Sequence, residues 1–113
     1  MESILSEKII QQLYNTIVER KNSAPSDSYV SNLINKGTTS ILKKIGEEST
    51  EVIIASQNQN KEEQIHEIAD LWFHLLVLMV SQGISLEDIL QELKNRFGIS
   101  GLQEKAQREG INN

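Results

Sequence analysis

Two pairs of carboxylates at helical spacing, Glu48 with Glu51 and Glu67 with Asp70, are the residues of this chain best suited to chemistry, and Glu47 stands beside the first pair. Side chains three or four positions apart on a helix have Cβ atoms about 5–6 Å apart, so each pair can aim at one ion. If the two segments are antiparallel neighbours, with axes roughly 8–10 Å apart, the pairs face each other and can share one or two cations. All-oxygen ligation suits Mg²⁺, with Mn²⁺ as a substitute, and Mg²⁺ completes its shell with water and substrate phosphates. The like-charge pairs Glu47/Glu51 and Glu63/Glu67 each cost roughly 0.2–0.5 kcal/mol on an exposed helix, a sign that a bound dication reverses. The competing reading is a set of ordinary solvated helix faces. It fits a single E-x-x-E well and a facing doublet poorly.

The acids are unevenly spread. Seven of the sixteen fall between Glu47 and Asp70. The net charge of −5 argues against nucleic acid as a partner, because a phosphate backbone needs a basic footprint. An acidic protein still binds a polyphosphate once its carboxylates hold a cation. With no cysteine, disulfides and thiolate metal sites are excluded. The N-terminal MESILSEKII lacks the pattern of a signal peptide, and the longest apolar run, Leu75 to Val80, is too short to span a bilayer. A soluble cytoplasmic protein without membrane attachment is expected. At 113 residues it reads as one domain, with a polar, frayed tail from about 99 to 113.

Nearly the whole chain reads as helix, which predicts an all-α bundle of four to five helices. The first runs from about Ile4 to Lys21, with Ile9, Ile10, Leu13, Ile17 and Val18 on one face. Asn22 to Asp27 is a loop around Pro25, and a short second helix, near Ser28 to Asn35, stops at Gly37. Thr39 is the expected cap of a third helix reaching Gln57, whose stripe of Ile41, Ile45, Val52 and Ala55 also contains Glu48. A charge on an inward helix face needs a reason. Asn60, with Glu63 three residues on, resembles a capping box for a fourth helix that closes at Gly83. From Ile68 to Val80 that helix is apolar around almost its whole circumference, apart from a seam of Glu67, Asp70 and His74. Such a helix must be buried on every side, so it is expected to contribute to a subunit interface. Ser85 with Asp88 opens a fifth helix ended by Gly98, and a helical turn is expected around Leu102 to Arg108.

His74, four residues after Asp70, is placed to serve as a metal ligand or general base, but it reads better as a structural histidine bonded to a neighbour such as Asp70, and His66 is expected to be exposed without a role. Two basic doublets, Arg20-Lys21 and Lys43-Lys44, are candidates for substrate phosphates. The plainer alternatives are a helix C-terminus for the first doublet and pairing with Glu47 and Glu48 for the second. Trp72 and Phe73 suit core packing better than a base-stacking platform.

The segments RKNSAPSDSYVSNLINKG, ILKKIGEESTEVIIASQNQNKE and EIADLWFHLLVLMVSQGISLEDILQELKNR together resemble the phosphoribosyl-ATP pyrophosphohydrolase family, within the MazG-like all-α NTP pyrophosphohydrolases. The superfamily signature, E-E-x-x-E followed by E-x-x-D, appears as Glu47-Glu48-x-x-Glu51 and Glu67-x-x-Asp70. Arg20, Lys21, Pro25, Ser28, Tyr29, the lysine doublet and D-L-x-x-H-L-L-V-L carry the narrower resemblance. Two positions depart from the pattern: Val30 stands where a threonine is expected, and Phe73 where a tyrosine is frequent.

The resemblance implies hydrolysis of phosphoribosyl-ATP to phosphoribosyl-AMP and pyrophosphate in histidine biosynthesis, with Mg²⁺ as cofactor, in a cytoplasmic homodimer. It assigns Glu48, Glu51, Glu67 and Asp70 as metal ligands and Glu47 as the acid that orients or deprotonates the attacking water. The cyclohydrolase domain often fused to this enzyme has no room here, so the next step is expected to reside elsewhere. Two alternatives stand beside this one: another MazG-like NTP or dNTP pyrophosphohydrolase, and a non-catalytic helical adaptor assembling through the fourth helix. Inward-facing acids argue against the adaptor, which needs none.

Overall fold

The computed structural model describes residues 8–97 and Arg108. It contains five helices: α1 (Lys8–Lys21), α2 (Tyr29–Lys36), α3 (Thr38–Gln57), α4 (Lys61–Gln82) and α5 (Leu86–Asn95). Among the described residues there is no strand, so the expected all-α class holds. The first four helices fall in one compact unit, residues 1–83, and α5 in a second, residues 84–113. The expected helix before Lys8, the stop at Gly98 and the turn beginning at Leu102 lie outside the described residues.

In the first unit α3 and α4 form the backbone of the bundle. They run antiparallel, as two side-chain bonds at opposite ends demonstrate. Gln64 Nε2 donates to Ser56 Oγ at 3.1 Å beside the connecting turn, and Gln82 Nε2 donates to Thr38 Oγ1 at 3.3 Å at the far end. Asn60 starts α4 by accepting from the backbone N–H of Glu63, and Gly83 ends it in the left-handed conformation (φ 71°). That conformation costs a side-chain-bearing residue about 1 kcal/mol or more, so the glycine fixes where α4 stops.

The start of α3 differs from expectation. Thr39 does not cap it; Gly37 does, with φ 104° and ψ 165° and no side-chain bond, while its N–H closes α2 on Ile34 O. One residue serves as the C-cap of α2 and the N-cap of α3, which requires a backbone conformation open essentially to glycine alone. A hydroxyl cap has no position left to occupy.

Ile17 of α1, Val30 and Leu33 of α2, Ile41 and Ala55 of α3, and Leu76, Val77, Met79 and Val80 of α4 form the core. Each fully buried aliphatic side chain contributes about 1.5–3 kcal/mol. The expected α1 face is only partly inward, since Ile9 and Val18 are 43% and 39% exposed. In the second unit, Ser85 and Asp88 make the capping box at the start of α5: Ser85 Oγ accepts from the Asp88 N–H, and Asp88 accepts from the Ser85 N–H.

Candidate metal centre and active site

Ile41, Glu48 and Ala55 are spaced by sevens on α3, two helical turns apart, and all three are buried. The middle position of an inward stripe is therefore occupied by a carboxylate, 5% exposed. Antiparallel packing sets α4 opposite, where Glu67 and Asp70 lie half-buried. Ligating atoms of Glu48, Glu51 and Glu67 all lie within 4.8 Å of one another. Those of His66, Glu67 and Asp70 do so as well, so Glu67 belongs to both groups.

Glu48 Oε1 lies 3.9 Å from Lys44 Nζ and 3.9 Å from His74 Nδ1. Glu48 Oε2 and Glu67 Oε1 are buried and face no donor. Burial pushes the Glu48 carboxyl above its ordinary range, and the charges of Asp70 and Glu51 push it further, against a smaller opposing pull from His74. The Glu67 carboxyl is raised first by desolvation and then by Glu51, with which it can share a proton. With every carboxylate ionised no such proton exists, and both buried oxygens stand unpartnered. Such oxygens are costly. A divalent cation satisfies them directly, and an all-carboxylate donor set fits the hard ions Mg²⁺ and Mn²⁺.

Glu47 belongs to neither group. Its side chain is about half exposed, and its Oε1 lies 3.8 Å from Lys44 Nζ. Lys44 thus bridges Glu47 and Glu48, which is the pairing alternative for that residue. Lys43 is exposed on α3, as are Arg20 and Lys21 at the end of α1, where both sit in the last turn and complement the helix dipole. His74 is buried, and it bonds the backbone of Asp70 and not its carboxylate: Nδ1 lies 2.9 Å from Asp70 O. On its other side Tyr29 Oη lies 2.9 Å from Nε2.

The sequence model of the family described as phosphoribosyl-ATP pyrophosphohydrolase matches residues 10–97. This chain belongs to that family. Its relatives include proteins named phosphoribosyl-ATP pyrophosphatase from three bacteria. The one from Vesicomyosocius okutanii is 51% identical over 102 residues, which is 90% of this chain and 97% of that one. Those from Methylococcus capsulatus and Ruthia magnifica are 46% and 50% identical, over 89% and 88% of this chain and 96% and 95% of theirs. The phosphoribosyl-ATP pyrophosphohydrolases are a MazG-like all-α family, in keeping with the helices described above.

His66 is exposed, as expected, and its Nε2 lies 3.4 Å from Asp70 Oδ2, within the second acidic group, a contact that its position four residues before Asp70 makes possible. Tyr29 entered only through the resemblance, because nothing in local spacing connects it to His74, 45 positions away.

Proposed function

We propose that this chain hydrolyses phosphoribosyl-ATP to phosphoribosyl-AMP and pyrophosphate in histidine biosynthesis, in the cytoplasm, as a single pyrophosphohydrolase domain. Family membership supports the substrate. The observation that carries the site is the pair of buried carboxylate oxygens on facing helices, Glu48 Oε2 and Glu67 Oε1, with no donor toward either.

Glu48, Glu51, Glu67 and Asp70 would hold Mg²⁺. When bound, the ion neutralises substrate phosphates and stabilises the departing pyrophosphate as a Lewis acid. The chain's own residues do the rest. The carboxylates are fixed by two packed helices, so they need not reorganise during the reaction. His74, bonded on both ring nitrogens, holds the α4 backbone at Asp70. Glu47 is the acid left outside the buried group and is exposed enough to meet water. It orients a water molecule and accepts its proton as the new oxygen–phosphorus bond forms and the anhydride bond between the α and β phosphates breaks. Lys44, between Glu47 and Glu48, holds Glu47 near the buried acids and contributes positive charge. Lys43, Arg20 and Lys21 remain as contacts for the outer phosphates.

The active species is a homodimer. Ile65, Ile68, Trp72 and Leu75 follow helical spacing along one side of α4 and are 63%, 40%, 55% and 39% exposed. Trp72 is therefore not packed in the core of its own chain. A second copy covers this stripe better than water does, since a contiguous apolar patch on a helix marks an interaction site. Among the described residues, no single helix is long and apolar enough to cross a membrane.

The decisive experiment incubates the protein and Mg²⁺ with phosphoribosyl-ATP and, separately, with a panel of NTPs and dNTPs, identifying products by phosphorus NMR. Pyrophosphate release fastest from phosphoribosyl-ATP is expected. Preference for a plain nucleotide would replace the substrate assignment with the broader MazG-like activity, and no turnover of any nucleotide would favour the adaptor.

A further inference from the structure

The four acids expected to hold a cation do not fall into one set. Ligating atoms of Glu48, Glu51 and Glu67 lie within 4.8 Å of one another across α3 and α4, whereas Asp70 gathers with Glu67 and His66 on α4 alone. Glu67 is common to both groups. Two positions for a cation result, joined by one carboxylate, and they differ in kind. The first is lined by oxygens only and includes Glu48, 5% exposed, whose Oε2 faces no donor. The second adds an imidazole nitrogen and opens to solvent, with the His66 side chain 71% exposed.

The helix explains how these three residues meet. His66 and Asp70 are one turn apart on the same face of α4, and Glu67 follows His66 directly, so little more than one turn presents all three. His66 Nε2 lies 3.4 Å from Asp70 Oδ2. Around a dication with bonds of about 2.1 Å, neighbouring ligand atoms stand about 3 Å apart and opposite ones about 4.2 Å, so small side-chain rotations close this group on an ion. A plain surface pair between His66 and Asp70 accounts for the 3.4 Å contact. It does not account for Glu67, whose Oε1 is buried and receives no hydrogen bond. A cation ligated by Glu67 does.

We infer that His66 is a metal ligand: its ring nitrogen, with Glu67 and Asp70, forms a second, outer cation position that takes a dication accepting nitrogen, such as Zn²⁺ or Co²⁺, in preference to Mg²⁺. Imidazole suits such ions, whereas Mg²⁺ favours oxygen and gives up its waters reluctantly. The shell beyond the protein ligands stays open to water or a substrate oxygen. The inference rests on the metal-centre reading above and deepens it, because carboxylates alone give no such preference for a nitrogen-accepting ion.

The test titrates metal-stripped protein with Zn²⁺ and, separately, with Mg²⁺. Calorimetry reads affinity, and long-range proton–nitrogen NMR reads the ring nitrogens of the two histidines in the chain, His66 and His74. Zn²⁺ is expected to shift a His66 ring nitrogen, and Mg²⁺ is not. His66→Ala, at an exposed helix position where circular dichroism checks folding, weakens Zn²⁺ binding by at least on the order of tenfold. It changes Mg²⁺ binding by no more than about twofold. Asp70→Asn weakens Zn²⁺ binding by a similar factor, and His66→Ala added to it costs little more, as expected for two ligands of one ion. A His66 nitrogen unmoved under bound Zn²⁺, or Zn²⁺ affinity unchanged in His66→Ala, would overturn the inference. So would a His66 shift that survives intact in Asp70→Asn, the mark of a lone exposed histidine. Each of these leaves Mg²⁺ binding by wild type in place. A failure of the metal-centre reading shows instead as a wild type that binds neither cation, and the His66 ligand falls with it.

Discussion

Glu48 on α3 and Glu67 on α4 bring ligating oxygens within 4.8 Å of each other between antiparallel helices, and each keeps a buried oxygen that faces no donor. Like charges held this closely destabilise the metal-free fold.

Neutralising either acid should relieve that repulsion. Glu48→Gln and Glu67→Gln are each expected to melt higher than wild type in EDTA, because a repulsive buried charge is gone. Each should also lose the stabilisation that Mg²⁺ gives wild type. Pyrophosphate release should fall on the order of a hundredfold or more, as several kcal/mol of charge stabilisation are removed. Wild-type Mg²⁺ activation in both variants would remove these acids from the site.

The same carboxyls set a pH dependence for the metal-free protein. Both are raised in the folded state, chiefly by burial, so between the unfolded and folded pKa values the native state binds more protons than the unfolded chain. Stability contributed by these groups is therefore highest on the acid side of that window and declines as pH rises through it. Denaturant melts in EDTA should show this decline above the ordinary glutamate range, and Glu48→Gln should flatten it. A metal-free wild type that gains stability steadily from pH 5 to 7 would contradict the assignment.

The exposed stripe on α4 yields an oligomer prediction. Trp72→Glu and Ile68→Glu introduce charges at positions 55% and 40% exposed in the single chain, so neither should disturb the bundle itself. Sedimentation equilibrium is expected to give a dimer for wild type and a shift toward monomer for both variants, with helical content retained by circular dichroism. A wild-type monomer at micromolar concentration would exclude the dimer.

Gly37 is the sharpest backbone prediction. A Cβ at this position meets nothing within 4 Å, so Gly37→Ala introduces no clash. It should still cost about 1–3 kcal/mol, because φ 104° with ψ 165° is strained for any residue with a side chain. Ser85→Ala, which removes a capping box remote in sequence from the acids, should cost about 1 kcal/mol and leave kcat unchanged. Urea unfolding measures both.

The sequence by itself determined the helices, because their signals are local. Apolar periodicity, Asn60, Gly83 and the Ser85–Asp88 pair each act within a turn or two, and the structure places them where that spacing requires. It also determined which acids pair, since E-x-x-E on a helix fixes separation to first order. Tertiary structure decided what depends on residues far apart in the chain. Only packing of α3 on α4 brought Glu48 to Glu67, left their inner oxygens without donors and drew Glu48 toward His74. The cap at Gly37 was decided by how closely α2 and α3 follow one another, a constraint that Thr39 does not reveal. The Tyr29 hydroxyl lies 2.9 Å from His74 Nε2, and His74 Nδ1 lies 2.9 Å from the carbonyl of Asp70. A hydrogen-bond chain of that kind has no signature in sequence spacing, because it depends on which atoms the fold brings into contact.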